Sequence, residues 1–404
     1  MKAMHLAAVL LAATAGAQAG YSAPDSDAQV RINQIQIIGS HNSYHAGLLP
    51  GMRAYLGAKK PDALRGLDYA HQPLNRQFDG GVRQIELDIF ADSKGGRYAH
   101  PAGPALEQAA GVPVDSIGQN SSGQNFSGAS SDVMMKPGFK VLHVQDLDQH
   151  SNCQPFTACL TMVREWSKAH PQHLPIFVLV ETKQGKPLAI PNATTPEPFT
   201  AASFDELDRQ IRSVFSAGEM ITPDDMRGTY ATPNEAARAG AWPTLATARG
   251  KVIFLMDQRS VGPLYLEGHP NLRGRVLFTN AAPGQPDAAF TEENDGTEQE
   301  IAALVGQGYL VRTRTDADTK EGRSGSTVRR DHAMASGAQI LSTDYPKAEP
   351  AQWTGYSVSF ADRAMARCNP VARNAACSDA ALRMAAEQVA GTGRPGTRAA
   401  GASR

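Results

Sequence analysis

Six side chains in the first half of this sequence could do chemistry together. Four offer hard oxygen: the amide of Asn42 and the carboxylates of Glu86, Asp88 and Glu181. Two offer imidazole: His41 and His143. In QIELDIF the acids alternate with Ile85, Leu87 and Ile89, so a period of two puts Glu86 and Asp88 on one face of a strand. Glu181 closes the apolar run IFVLVETK, and His41 and Asn42 follow directly on IQIIGS. A lone acid at a strand end is usually solvated or salt-bridged; several at successive strand ends are a set. Hard oxygen donors suit calcium or magnesium, whereas zinc would recruit histidine and cysteine. The histidines are then left outside the metal's ligands, where they can move protons. Lys183, Arg312 and Arg314 also fall at strand ends and are the candidates for binding an anionic substrate.

Polar residues collecting where apolar strands stop is the arrangement of a parallel β/α barrel, whose chemistry sits at the C-terminal rim. Eight strands are predicted: 35–40 running into SHNSYH, 82–90, 140–146, 176–183, 251–257, 276–280, the run GYLVRTRTDAD from 308, and AQILSTDYP from 338. Helices are predicted at 72–79, at 157–171, at 203–215 with Ser203 as N-cap and Glu206 completing a capping box, and through His332 and Met334. Residues 46–71 look too broken by glycine and proline for regular structure. Residues 91–138, rich in Gly, Ser and Asn, form a rim loop that carries His100. The fold class is α/β, a single (β/α)8 TIM-type barrel with long rim loops, over residues 20–377.

A formal charge of -1 over 404 residues, without a basic cluster, argues against nucleic acid. Residues 1–19 read as a cleaved signal peptide: Lys2, an apolar stretch, then Ala17-Gln18-Ala19. No stretch approaches the roughly 20 apolar residues of a transmembrane anchor. The protein is therefore expected to be secreted or periplasmic. In an oxidising compartment the close pairs Cys153 with Cys159 and Cys368 with Cys377 form two local disulfides. Residues 378–404, rich in Ala, Gly and Arg, are expected to be a disordered tail.

SHNSY at 40–44, GVRQIELDIF at 81–90, FKVLHVQDLD at 139–148, the cysteine pair of CQPFTACL and VLVETK at 178–183 occur in the order found in one family. The chain resembles the calcium-dependent phosphoinositide-specific phospholipases C, especially their secreted bacterial branch. The likeness is clear in the first half and rests in the second on VRTRTDADT and STDYP. It implies a catalytic His41 and His143, the latter preferred to His100, and calcium held by Asn42, Glu86, Asp88 and Glu181. It implies a monomer that meets a phospholipid at a membrane surface and releases diacylglycerol and inositol phosphate. A metal-dependent glycerophosphodiesterase is the alternative enzyme. A barrel that only binds a polyol or phosphate is the alternative outside catalysis.

Overall fold

The computed structural model describes residues 25–112 and 131–382. The signal peptide expected at 1–19, most of the Gly/Ser-rich run and the tail from 383 lie outside these residues. Ten strands follow in chain order: β1 Ile35–Ser40, β2 Gln84–Phe90, β3 Lys140–Val141, β4 Ile176–Lys183, β5 Val252–Met256, β6 Leu277–Phe278, β7 Phe290–Glu292, β8 Leu310–Arg314, β9 Ile340–Thr343 and β10 Ala366–Cys368. Eight of them form one parallel path, β6-β5-β4-β2-β1-β9-β8-β7. A single parallel bridge, Asn280↔Phe290, joins its two ends into a barrel.

The barrel strands are buried on both faces, as a sheet covered by helices requires. β1 and β2 are buried along their whole length. β1 meets β2 only at Gly39↔Gln84. A Cβ on Gly39 would come within 2.0 Å of Gln84 Oε1, so the crossing needs glycine. β10 runs antiparallel along the first half of β1, pairing Ile35 with Cys368. The cysteines pair as expected, Cys153 with Cys159 and Cys368 with Cys377.

Six expectations are corrected. The run 140–146 is not a barrel strand. β1 stops at Ser40 and leaves the upper half of β2 open on that edge, where Lys140–Val141 pairs antiparallel with Ile89 and Phe90 before the chain turns away. The eighth barrel strand is β7, three residues long and followed by the turn-forming ENDG run at 293–296, too short to show alternation. Residues 46–71 hold two helices, Pro50–Lys59 and Pro61–Leu67, each started by a proline. They enclose a small cluster of Leu48, Leu49, Met52 and Leu56. The helix Ala201–Val214 is capped by Thr200, which accepts from the Ser203 amide at 3.2 Å, so Ser203 lies inside the first turn. The rim excursion after β2 also contains a helix, Gly103–Ala109. At the end of the described residues Leu382 is buried, so the start of the tail packs on the domain.

Candidate active site

Past β1 the chain turns at Asn42, whose φ of 46° lies in the left-handed region that asparagine tolerates. Ser43 then binds the Glu86 backbone in both directions, its amide donating to Glu86 O at 3.1 Å and its Oγ accepting from Glu86 N at 2.8 Å. The turn is thereby fixed against β2. Both amide protons of Asn42 are used: Nδ2 donates to Tyr69 Oη at 2.7 Å and lies 3.2 Å from His143 Nε2. Its Oδ1 is buried and accepts no hydrogen bond. A buried amide oxygen left so is costly unless another partner takes its lone pairs.

The register pairs Asp88 directly with Glu181 across β2 and β4. Oxygens of Glu86, Asp88 and Glu181 come within 4.8 Å of one another. Their mutual repulsion shows in their acidities. Burial, partly offset by Arg312, pushes Glu86 up to about 7. Burial and then the Glu181 charge raise Asp88 well above the carboxylate range. Burial acts the same way on Glu181, but the Lys183 ammonium outweighs it and holds Glu181 low. Lys183 Nζ lies 2.9 Å from Glu181 Oε2 and 2.9 Å from Asp88 Oδ2. The second contact is an ion pair by distance only, since neither Asp88 oxygen makes a well-directed hydrogen bond. Three crowded carboxylates, with the orphaned Asn42 amide oxygen on the turn that Ser43 fixes to the Glu86 backbone, form a site short of positive charge, and the donor set is all oxygen, as calcium prefers.

His41 turns Nδ1 to Asp344 Oδ1 at 2.7 Å and Nε2 to Glu86 Oε1 at 3.6 Å. Burial, then Arg314, lower its pKa well below the usual histidine value, so the resting ring is neutral. His143 is held at both nitrogens, Nδ1 by Asp148 Oδ2 at 2.9 Å and Nε2 beside Asn42. Burial lowers its pKa against the pull of Asp148. His100 is exposed, in the loop before Gly103–Ala109. The two carboxylates that orient the histidines, Asp344 and Asp148, are what the sequence reading missed as site residues. The signal was there: Asp344 ends the STDYP strand and Asp148 lies five residues past His143.

Arg312 does not reach an open site. It is 2% exposed, donates to Glu86 Oε2 at 2.6 Å and Asn294 Oδ1 at 2.7 Å, and pairs with Glu292. Arg314 lies nearer the histidines, 3.3 Å from both Asp344 oxygens.

The family described as calcium-dependent phosphoinositide phospholipase C matches residues 30–370. The chain belongs to that family. As a calcium-dependent phosphoinositide phospholipase C it is a phosphodiesterase whose cofactor is Ca2+, and the acidic cluster at the strand ends fits that ion. Among solved structures it resembles two apo crystal forms of a calcium-dependent phosphoinositol-specific phospholipase C from Pseudomonas sp. One is 15% identical with a TM-score of 0.52, covering 86% of this chain and 97% of that one. The other is also 15% identical, with a TM-score of 0.50 and coverage of 86% and 98%. At that identity the likeness speaks for the barrel alone. A search of curated proteins finds no similar sequence.

Proposed function

We propose that this enzyme cleaves phosphatidylinositol-type phospholipids, with Asn42, Glu86, Asp88 and Glu181 holding calcium and His41 and His143 serving the phosphoryl group. The three carboxylates crowded within 4.8 Å of one another, with a buried, unpartnered Asn42 Oδ1 on the turn bound to the Glu86 backbone, carry this reading. When bound, calcium lowers the pKa of the attacking hydroxyl and offsets charge on the phosphoryl oxygens. The inositol 2-hydroxyl attacks phosphorus and gives its proton to a carboxylate of the cluster, Glu86 or Glu181. The bond from phosphorus to the diacylglycerol oxygen breaks, His143 supplies that oxygen with a proton, and the cyclic inositol phosphate left behind is opened by water to inositol phosphate. Both histidines are neutral at rest; a phosphodiester's negative charge beside them favours the imidazolium, which Asp148 and Asp344 stabilise. His41 then donates from Nε2 to a phosphoryl oxygen. Lys183, 23% exposed, and Arg314 remain the cationic candidates for the substrate phosphate. Arg312 serves instead as the counter-ion of Glu86 and Glu292.

The enzyme acts after export. The leader pattern at 1–19 and two disulfides support this. Among the described residues no helix is long and apolar enough to cross a membrane. The test is release of diacylglycerol and inositol phosphate from phosphatidylinositol vesicles with and without a calcium chelator. Calcium-dependent release of both products is expected. Hydrolysis confined to water-soluble glycerophosphodiesters would replace this reading with the glycerophosphodiesterase one.

A further inference from the structure

The mechanism leaves unused the imidazole whose ring lies nearest His143. His45 is wholly buried, its ring 4.7 Å from Tyr69 and 5.4 Å, edge-on, from His143. Its Nε2 lies 2.9 Å from Asp148 Oδ2, the same oxygen that His143 Nδ1 meets at 2.9 Å. The approach from His45 is bent, and neither of its ring nitrogens makes a well-directed hydrogen bond. The backbone around it is tightly knit. His45 N donates to Asn42 O at 2.8 Å, His71 N donates to His45 O at 2.8 Å, and His45 bridges to Ser151 in the segment that carries Asp148.

We propose that His45 is a positioning residue: through Asp148 it fixes the ring of His143, and through that ring the amide of Asn42. The inference rests on the reading of His143 as the acid. An ionised Asp148 only accepts, so the nitrogens facing it both carry protons, Nε2 of His45 and Nδ1 of His143. A neutral His143 then presents a bare Nε2, to which Asn42 Nδ2 donates. The other Asn42 proton goes to Tyr69. With both protons committed in the resting enzyme the amide cannot flip before substrate arrives, and Oδ1 is the atom offered to the cation. Without His45, Asp148 keeps one imidazole instead of two and can rotate, and the rest of the chain of contacts loosens with it.

Two substitutions separate positioning from packing. His45→Gln keeps an N–H donor near the Nε2 position and loses the ring; His45→Phe keeps the ring against Tyr69 and loses the donor. On phosphatidylinositol vesicles with saturating calcium, His45→Phe should lose about 10-fold in kcat with little change in KM, and His45→Gln should stay within about 3-fold of wild type. An aryl phosphodiester of inositol, whose leaving group hardly needs a proton, should recover most of the His45→Phe loss. A packing role predicts the opposite order, with Phe tolerated and Gln impaired, and that result overturns the proposal. Imidazole 15N spectra of the calcium-loaded wild type provide a check that needs no variant. They should show the proton on Nδ1 of His143 and on Nε2 of His45, and the reverse tautomers overturn it too. His143→Ala in the same assays tells the two failures apart. If that variant is neither slowed nor rescued, the acid assignment is wrong; if it behaves as expected while His45→Phe turns over at the wild-type rate, only the role of His45 falls.

Discussion

Removing calcium should make this protein's stability depend on pH in a direction opposite to that of most buried, paired acids. Glu86 is 2% exposed, and burial raises its pKa from 4.5 to about 7. A carboxyl shifted upward binds its proton more tightly in the folded state than in the unfolded chain. Its contribution is therefore full below pH 4.5 and lost as pH rises to about 7. The difference is worth about 3 kcal/mol. Asp88, raised by the same burial, adds to it; Glu181, held low by Lys183, works the other way. For a domain of about 350 residues this is a fall of about 4 °C in melting temperature. His71, whose pKa is raised by its pairing with Glu349 against burial, also loses stabilisation as pH rises, so the wild-type curve alone is not decisive. Glu86→Gln removes the Glu86 share and leaves Arg312 its Glu292 partner. The assay is thermal unfolding of wild type and Glu86→Gln between pH 5 and 8, in chelator and in calcium. In chelator, wild type should lose stability relative to the variant as pH rises. Calcium at about 100 times its Kd should return about 2.7 kcal/mol to wild type, chiefly at the upper end of the range. Parallel curves for the two proteins in chelator would refute the claim that Glu86 is a buried acid short of positive charge.

Other outcomes follow from the same geometry. Asp88→Ala should weaken calcium binding by about 10-fold or more in calorimetry, and unchanged affinity would remove Asp88 from the ligand set. His143→Ala should lose about 10²-fold in turnover while still binding calcium, with His100→Ala milder; a larger loss at His100 would move the acid to the rim loop. Asp344→Asn should cost about 10-fold or more in kcat with near-normal calcium affinity, because an amide can present its N–H to His41 Nδ1 and favour the wrong tautomer; an unchanged kcat would show that Asp344 does not orient His41.

Local pattern revealed the residues whose neighbours in sequence define their geometry. Alternation in QIELDIF places Glu86 and Asp88 on one face, and the end of IFVLVETK places Glu181 at the rim. The observed register then sets Asp88 against Glu181. What pattern could not reveal was pairing over long range. KVLHVQD has the composition of a barrel strand, yet whether it joins the barrel depends on which edge of β2 is open, and that follows from where β1 stops. Phe290–Glu292 is too short to alternate, and it becomes a strand because Leu310 and Asn280 flank it. The count of eight strands agreed because one false strand stood in for one missed.

The same limit explains the arginines. Arg312 and Arg314 lie on one face of β8, and by sequence both look equally able to meet a phosphate. In the barrel Arg312 faces Glu86 from β2 and Glu292 from β7, two acids that are distant in sequence from it and from each other. A guanidinium so placed cannot be spared for substrate without leaving two buried carboxylates unpaired. Lys183 is different: its ammonium spans Asp88 and Glu181 from the rim and is 23% exposed. On the proposed ligand set, a calcium ion on those carboxylates would take over its role as counter-charge. Metal binding there would free Lys183 for an incoming phosphate, while Arg312 stays paired with Glu86 and Glu292.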